Sequence, residues 1–205
     1  FPGMPLPLQI FEPLYRQMMQ DHGEDTFPFG VSLIQSARAP QSTFPSHDIG
    51  TAAYLTSRFE RPDGRWDVVA RGERRFRIVE IDESLPYTMA TVEWIEEELG
   101  DPTEADTLLR IAGAQFHRYA GGIARLTRRR FTDVMIPEDP IKASYDLASR
   151  LPLHTWERQR LLQSRTAVER LSEVSYLAER ELALLLRAGA AGLALNHPGG
   201  MFSLN

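Results

Sequence analysis

The chain has 205 residues, 42% of them hydrophobic and 25% charged, which is ordinary globular composition with enough length for one large domain or two small ones. With no cysteine, disulfides, thiolate metal sites and cysteine nucleophiles are excluded. No apolar run approaches the roughly 20 residues of a membrane span, and nothing near Phe1 resembles a basic and then apolar leader, so a soluble, cytoplasmic protein is expected.

Charge divides the chain: residues 1–100 carry 9 basic and 16 acidic side chains, residues 101–205 carry 14 and 12. The first half reads as short strands. Phe1 to Pro13 holds four prolines among large apolar residues; because proline removes a ladder donor, this ribbon can only be an edge strand or a lead-in to one. Pro13 then opens a short helix with Leu14, Tyr15, Met18 and Met19 as its apolar face. Phe29–Ile34 and Ile49–Phe59 follow as strands, Pro62-Asp63-Gly64 as a turn, and Arg65–Arg71 as a further strand. Arg74–Asp82 alternates with neither face wholly polar, so cover on both sides is expected. Tyr87–Ile95 is the last strand.

The second half reads as helices. Thr103-x-x-Asp106 is the expected cap of the first, which carries Leu108, Leu109, Ile111, Ala112 and Phe116. Asp139-Pro140 opens a helix to Leu151, and Thr155 caps Trp156–Gln163. Thr166-x-x-Glu169 forms a capping box before a long helix that Gly189 is expected to end. His197-Pro198-Gly199-Gly200 breaks the tail. The seam falls at Glu96–Pro102, giving a β subdomain over 1–97 and a helical subdomain over 98–205.

Chemistry-bearing motifs are sparse. Of 23 basic residues only Lys142 is lysine, and no glycine precedes it; a Walker-type loop, whose lysine must reach phosphates cradled by glycine-rich backbone, is excluded. His22, His47, His117, His154 and His197 form no i,i+3 or i,i+4 pair, so no local metal site is expected. Gly-x-Ser-x-Gly and GxGxxG are absent. The acidic run Glu96–Glu98 reads as a solvated linker. Two arginine clusters, Arg74, Arg75 and Arg77 around Phe76, and Arg128, Arg129 and Arg130, could contact nucleic acid, but the first lies in the half of net charge −7, against the counterion-release term that drives such binding. Pairing of that cluster with Glu73 and other carboxylates is the favoured reading.

Phe1-Pro2-Gly3-Met4-Pro5-Leu6-Pro7-Leu8-Gln9-Ile10-Phe11-Glu12-Pro13-Leu14-Tyr15-Arg16 resembles the opening signature of the Lon protease N-terminal, substrate-binding domain. Phe29-Gly30-Val31, Ile49-Gly50-Thr51-Ala52, Asp63-Gly64-Arg65-Trp66-Asp67, Arg71 to Ile78, Pro86-Tyr87 and Ala90 to Trp94 keep the family's order. Leu151-Pro152-Leu153 and Arg158 to Leu162 are similar to the bundle that follows in stand-alone members. Two features depart from the pattern: Leu14 stands where the family often has Arg, and the strand that precedes the first motif in the family is not represented before Phe1.

The resemblance implies an α+β fold, a PUA-like β-pseudobarrel followed by an α-helical bundle. It implies a binding role for unfolded or extended polypeptide, with an adaptor role toward a Lon-type protease as one form of it, and no catalysis by these residues; from the residue patterns above, no cofactor and no metal are expected. The expected site is a groove between barrel and helices, with Met4, Leu6, Phe11 and Tyr15 holding apolar groups and Glu12 and Arg16 fixing polar ends. RNA binding is the alternative, since PUA-like barrels are also used on RNA, through Arg74, Arg75, Arg77, Arg128, Arg129 and Arg130.

Overall fold

The computed structural model describes residues 1–21, 28–34, 47–128 and 134–195, the last seven of these without their side chains. The described residues form two compact units. One comprises Phe1–Glu97 with Thr155–Gln163; the other comprises Glu98–His154 and the chain from Ser164 onward. The class is α+β, as expected.

The first unit is an antiparallel sheet of β1 (Pro5–Ile10), β2 (Phe29–Val31), β3 (Ile49–Glu60), β4 (Trp66–Asp82) and β5 (Met89–Ile95), with helix α1 (Pro13–Asp21) after β1. The order is β1-β4-β3-β2, and β5 also pairs with β4. One long strand therefore organises the sheet. β4 pairs with β3 along most of its length, with β1 along its first part (Leu6 opposite Ala70) and with β5 along its second (Phe76 opposite Trp94). The two strands expected on either side of Gly72 are thus one. Gly72 does not break it, because the extra residue Glu73 is taken up as a bulge between the pairs Ala53–Gly72 and Ala52–Arg74.

Backbone accounting explains the prolines of β1. Gly72 N–H donates to the Met4 carbonyl at 3.0 Å, so by alternation residues 4, 6, 8 and 10 turn their polar groups toward β4, and Pro5 and Pro7 turn away from it. Neither proline deprives the ladder of a donor. The same prolines leave the outer edge of β1 with a single N–H, that of Gln9, over the stretch 5–9, which makes the edge a poor template for a further strand. Inside the unit, Ile10, Met19 and Val68 are buried together with Leu8, Leu55 and Trp66 packed against them. Tyr15 is 46% exposed, so it is not part of the buried face of α1 that Met19 provides.

The Phe76 ring, buried, lies across two glycines. A Cβ on Gly50 would stand 2.5 Å from its Cζ and 2.7 Å from the Val31 carbonyl oxygen, and a Cβ on Gly30 would stand 3.0 Å from the same Cζ. Phe-Gly-Val and Ile-Gly-Thr-Ala are therefore two halves of one slot for Phe76.

The second unit consists of α2 (Pro102–Thr127), α3 (Pro140–Arg150) and α5 (Ala167–Leu195). The cap of α2 is Asp101, whose carboxylate accepts from Glu104 N–H at 2.8 Å, and Pro102 follows at the first position. The expected Thr103 cap is thus displaced by two residues; proline at the first helical position and a stronger carboxylate cap before it decide the matter. Asp139 caps α3 as expected. The capping box of α5 forms in part: Thr166 Oγ1 accepts from Glu169 N–H at 3.1 Å, and the Glu169 carboxylate takes the Arg165 N–H at 2.8 Å. α5 does not stop at Gly189 but runs to Leu195, because the alanines and leucines after it favour helix enough to absorb a glycine's cost of about 1 kcal/mol.

Small residues set the packing here. Ala105, Ala112, Ala143, Ala148 and Ala178 are fully buried, and a Cβ on Gly122 would stand 3.1 Å from both Leu182 Cδ1 and Leu185 Cδ2. Buried Arg170 donates from Nε to Ser144 Oγ at 2.8 Å and lies 3.8 Å over the Tyr145 ring.

Gly50→Ala is expected to lower stability by about 1–3 kcal/mol through overpacking against Phe76, measured by urea unfolding, whereas Gly121→Ala, inside α2 with nothing within 4 Å of the added Cβ, is expected to raise it by up to about 1 kcal/mol. Burial, and then the Asp21 carboxylate for Tyr87 and Glu181 for Tyr119, raise both phenols above their usual pKa of 10.0. A raised folded-state pKa stabilises the fold fully below the unfolded value and less as pH rises through the folded one. The urea midpoint is therefore expected to fall only above about pH 10, with Tyr87→Phe and Tyr119→Phe making that fall shallower.

Candidate functional site

A cavity of about 250 Å³ opens within the sheet unit. Met4 and Leu6 of β1 line it, with Val31 and Leu33, Ala53 of β3, and Leu162 of helix α4 (Thr155–Gln163). Its wall is mainly apolar, with Ser32, Thr51, Thr155, Arg158 and Gln159 as polar exceptions. α4 is fixed to the sheet by side-chain bonds. Gln159 Nε2 donates to the Ile49 carbonyl at 3.0 Å, and Gln163 Nε2 lies 3.3 Å from His47 Nδ1. The His47 carbonyl in turn accepts from Ser32 Oγ at 2.6 Å.

Thr51 is buried, and its Oγ1 is without a hydrogen-bond partner. Buried hydroxyls are normally satisfied, and leaving one unsatisfied costs about 1–3 kcal/mol.

The structure brings Met4 and Leu6 to this cavity and leaves the other expected polypeptide contacts elsewhere. Phe11 is 60% exposed beyond the end of β1, and Glu12 and Tyr15 are exposed on the following turn and helix. The Arg16 guanidinium packs against Gly64, whose φ of +76° makes the β3–β4 turn, close enough to occupy the space of a side chain there. The sequence reading missed Thr51, Arg158, Gln159 and Leu162 as lining residues. They lie in the motifs Ile49 to Ala52 and Arg158 to Leu162, but nothing local marks them as sharing a cavity, because three of the four sit on a helix more than eighty residues away in sequence from the strands they meet.

The first arginine cluster is committed to carboxylates. Arg75, with its side chain 2% exposed, donates from Nε and Nη2 to the two oxygens of Glu97 at 2.7 and 3.1 Å and from Nη1 to the Leu162 carbonyl at 2.8 Å. Arg74 bonds Glu96 at 2.8 Å and lies 4.8 Å over the Trp94 ring, and Arg77 faces Asp48 at 3.8 Å. The partners are Glu96, Glu97 and Asp48, with Glu73 exposed. Glu96 and Glu97 are therefore ion-pair partners, whereas the sequence suggested a solvated linker. The reason is register: β5 runs beside β4 with Arg75 opposite Ile95, which delivers the next two residues to the arginines. Arg128 caps α2 with φ 53°, and Arg129 and Arg130 lie outside the described residues, as do His22 and His197. Among the described residues no group of three or more acidic or histidine side chains could hold a metal ion, and no helix is long and apolar enough to cross a membrane.

Residues 1–180 match the family described as the ATP-dependent protease La (LON) substrate-binding domain. The chain belongs to that family. Among its relatives, the Lon protease of Azospirillum brasilense is 26% identical over 187 residues, 90% of this chain, and that of Dictyoglomus thermophilum is 24% identical over 185 residues. The chain spans 23% of the length of each of these Lon proteases. The Lon N-terminal domain protein from Xanthomonas campestris superposes with a TM-score of 0.55 at 23% identity, over 84% of this chain and 89% of that one. The N-terminal domain of Mycobacterium avium complex Lon protease does so with 0.56 at 17% identity, over 86% and 90%. At these identities the Lon-family structures establish the shared fold.

Arg75→Met is expected to cost about 2–4 kcal/mol, since it strands the Leu162 carbonyl and leaves Glu97 half-buried without its partner. Arg74→Ala and Arg77→Ala, whose pairs are exposed, are expected to cost less than about 1 kcal/mol each; denaturant midpoints compare the three.

Proposed function

We propose that these 205 residues bind extended or unfolded polypeptide, act as a recognition module or adaptor for a Lon-type protease, and perform no chemistry themselves. The observation that carries the reading is the mainly apolar cavity lined by Met4 and Leu6; Thr51 also lines it, and its buried Oγ1 is unsatisfied. An apolar side chain of the ligand would enter the cavity, and a ligand amide would meet Thr51. Burial of apolar surface at roughly 25 cal/mol per Å² would supply the affinity before association costs are subtracted. Side-chain capture fits better than strand addition at β1, since that edge has lost two of its three donors to Pro5 and Pro7. Phe11 and Tyr15, with Glu12 and Arg16 beside them, would offer a second contact beyond the far end of β1, separate from the cavity.

Absence of catalysis is supported by the sole lysine. Lys142 lies exposed in the first turn of α3, 4.0 Å from the Asp139 carboxylate, where it meets neither a serine dyad nor a phosphate loop. A cytoplasmic location belongs to the same reading. The pairing of Arg74, Arg75 and Arg77 argues against RNA as the ligand of this unit.

The test is anisotropy of a labelled, permanently unfolded polypeptide titrated with the protein, with structured RNA as competitor at two salt concentrations. Saturable binding that RNA and salt barely disturb is expected. Met4→Ala and Thr51→Val are each expected to weaken it several-fold, and Thr51→Val is expected to leave stability unchanged or higher because an unpaired buried hydroxyl is removed. Wild-type affinity in both variants, or tight salt-sensitive RNA binding with none to polypeptide, would overturn the proposal.

A further inference from the structure

Beyond Asp106, the charged residues on the outer face of α2 are all arginines. From Thr107 to Arg128 the chain has four arginines, Arg110, Arg118, Arg125 and Arg128, and no aspartate or glutamate. At 100° per residue these four fall within an arc of about 80°, opposite the buried Ala112, Phe116 and Tyr119. All four are exposed, and they extend over about 27 Å of helix at 1.5 Å per residue.

A solvated helix face ordinarily mixes signs, so that acids three or four residues away pair its arginines. Here only Arg110 has such an acid, Asp106, and it bonds the backbone carbonyl of that residue, so the acceptors of the row among the described residues are neutral. Arg118 donates to Gln115 Oε1 at 3.1 Å, and Arg110 reaches Thr107 Oγ1 and the Asp106 carbonyl at 3.4 Å. None of the four forms an ion pair with a described carboxylate. The positions between them are small: Ala114 is exposed, and a Cβ on Gly121 would meet nothing within 4 Å. The guanidinium row is thus open to a partner.

We propose that this face of α2 docks acidic segments of polypeptide. The proposal rests on the polypeptide-binding reading and adds a charge class of ligand to it. Guanidinium forks pair carboxylates bidentately. The first two intervals of the row, about 12 and 10.5 Å along the axis, match acids about three residues apart in an extended segment or two turns apart in a helix. Carboxylates are favoured over phosphates because the chain carries a net charge of −5, which repels a polyphosphate at long range, while a short acidic segment interacts with the row alone.

The experiment uses the full chain and three labelled probes: a glutamate-rich peptide, its glutamine counterpart and a duplex RNA. The glutamate-rich peptide is expected to bind, with affinity falling as salt rises, and the glutamine counterpart is expected not to. The double variant Arg118→Glu and Arg125→Glu is expected to weaken binding about tenfold or more, with helicity by circular dichroism and binding of an apolar unfolded polypeptide unchanged. Should that variant fail to fold, Arg118→Gln with Arg125→Gln replaces it, with a loss of a few-fold expected. Equal binding of the two peptides, wild-type affinity in the variants, or preference for the RNA would overturn the proposal. Wild-type binding of the apolar polypeptide by both cavity variants, with the glutamate-rich peptide still bound through the arginines, would overturn the other reading and leave this one standing.

Discussion

Much of the sheet unit depends on one buried guanidinium. Taking an arginine out of water costs several kcal/mol unless its donors are met, and Arg75 meets that demand with two groups from different parts of the chain. Glu97, just past the end of β5, supplies a bidentate carboxylate, and Leu162, in the last turn of α4, supplies a carbonyl that no residue within that helix can satisfy. The arginine requires the helix end as much as the helix end requires the arginine. Because Glu97 and Leu162 are far apart in sequence, the pair of contacts fixes where the chain leaves the sheet unit and where it returns.

That return determines what kind of cavity the unit can have. α4 brings Arg158, Gln159 and Leu162 to strands formed by the first residues of the chain, and it is held by Gln159 on the Ile49 carbonyl as well as by Arg75. The cavity wall is therefore assembled from an N-terminal ribbon, the middle of a sheet and a short helix. Its polar content is low because most polar groups that reach the region are already bonded to backbone. Thr51 is the exception, and this is why its hydroxyl is the informative atom there.

The helical unit is governed by different physics. Alanine and glycine on facing surfaces let α2 and α5 approach closely, with Leu182 and Leu185 filling the space a side chain at Gly122 would take. Close packing of one face commits the opposite face to solvent. In α2 the charged residues of that face after Asp106 are arginines, a consequence of composition: the acids of this helix lie near its start, where Glu104 complements the helix dipole.

The element types and most of their limits were legible in the sequence, since alternation, capping residues and proline positions act locally. Asp139-Pro140 started a helix where it should, and Pro5 and Pro7 marked an edge strand because a ladder tolerates proline only where no donor is needed. Local signals failed where a tertiary partner compensated for them. Gly72 reads as a break but lies inside a continuous strand with a bulge beside it. Gly189 reads as a stop but is carried through by the helix formers around it. Glu96 and Glu97 read as a solvated run until β-register placed them on Arg74 and Arg75. The candidate site was half legible: Met4 and Leu6 came from a conspicuous motif, whereas Thr51 and the α4 residues sit in motifs that say nothing of a site, because a cavity is made by residues that meet only after folding. What the sequence alone determined was the periodicity of each element, the edge character of β1 and the absence of a phosphate loop. Only the tertiary structure decided which arginines are neutralised, which hydroxyl is left unpaired and which apolar residues share a cavity, since each depends on contacts between segments whose separation along the chain carries no information about their distance in space.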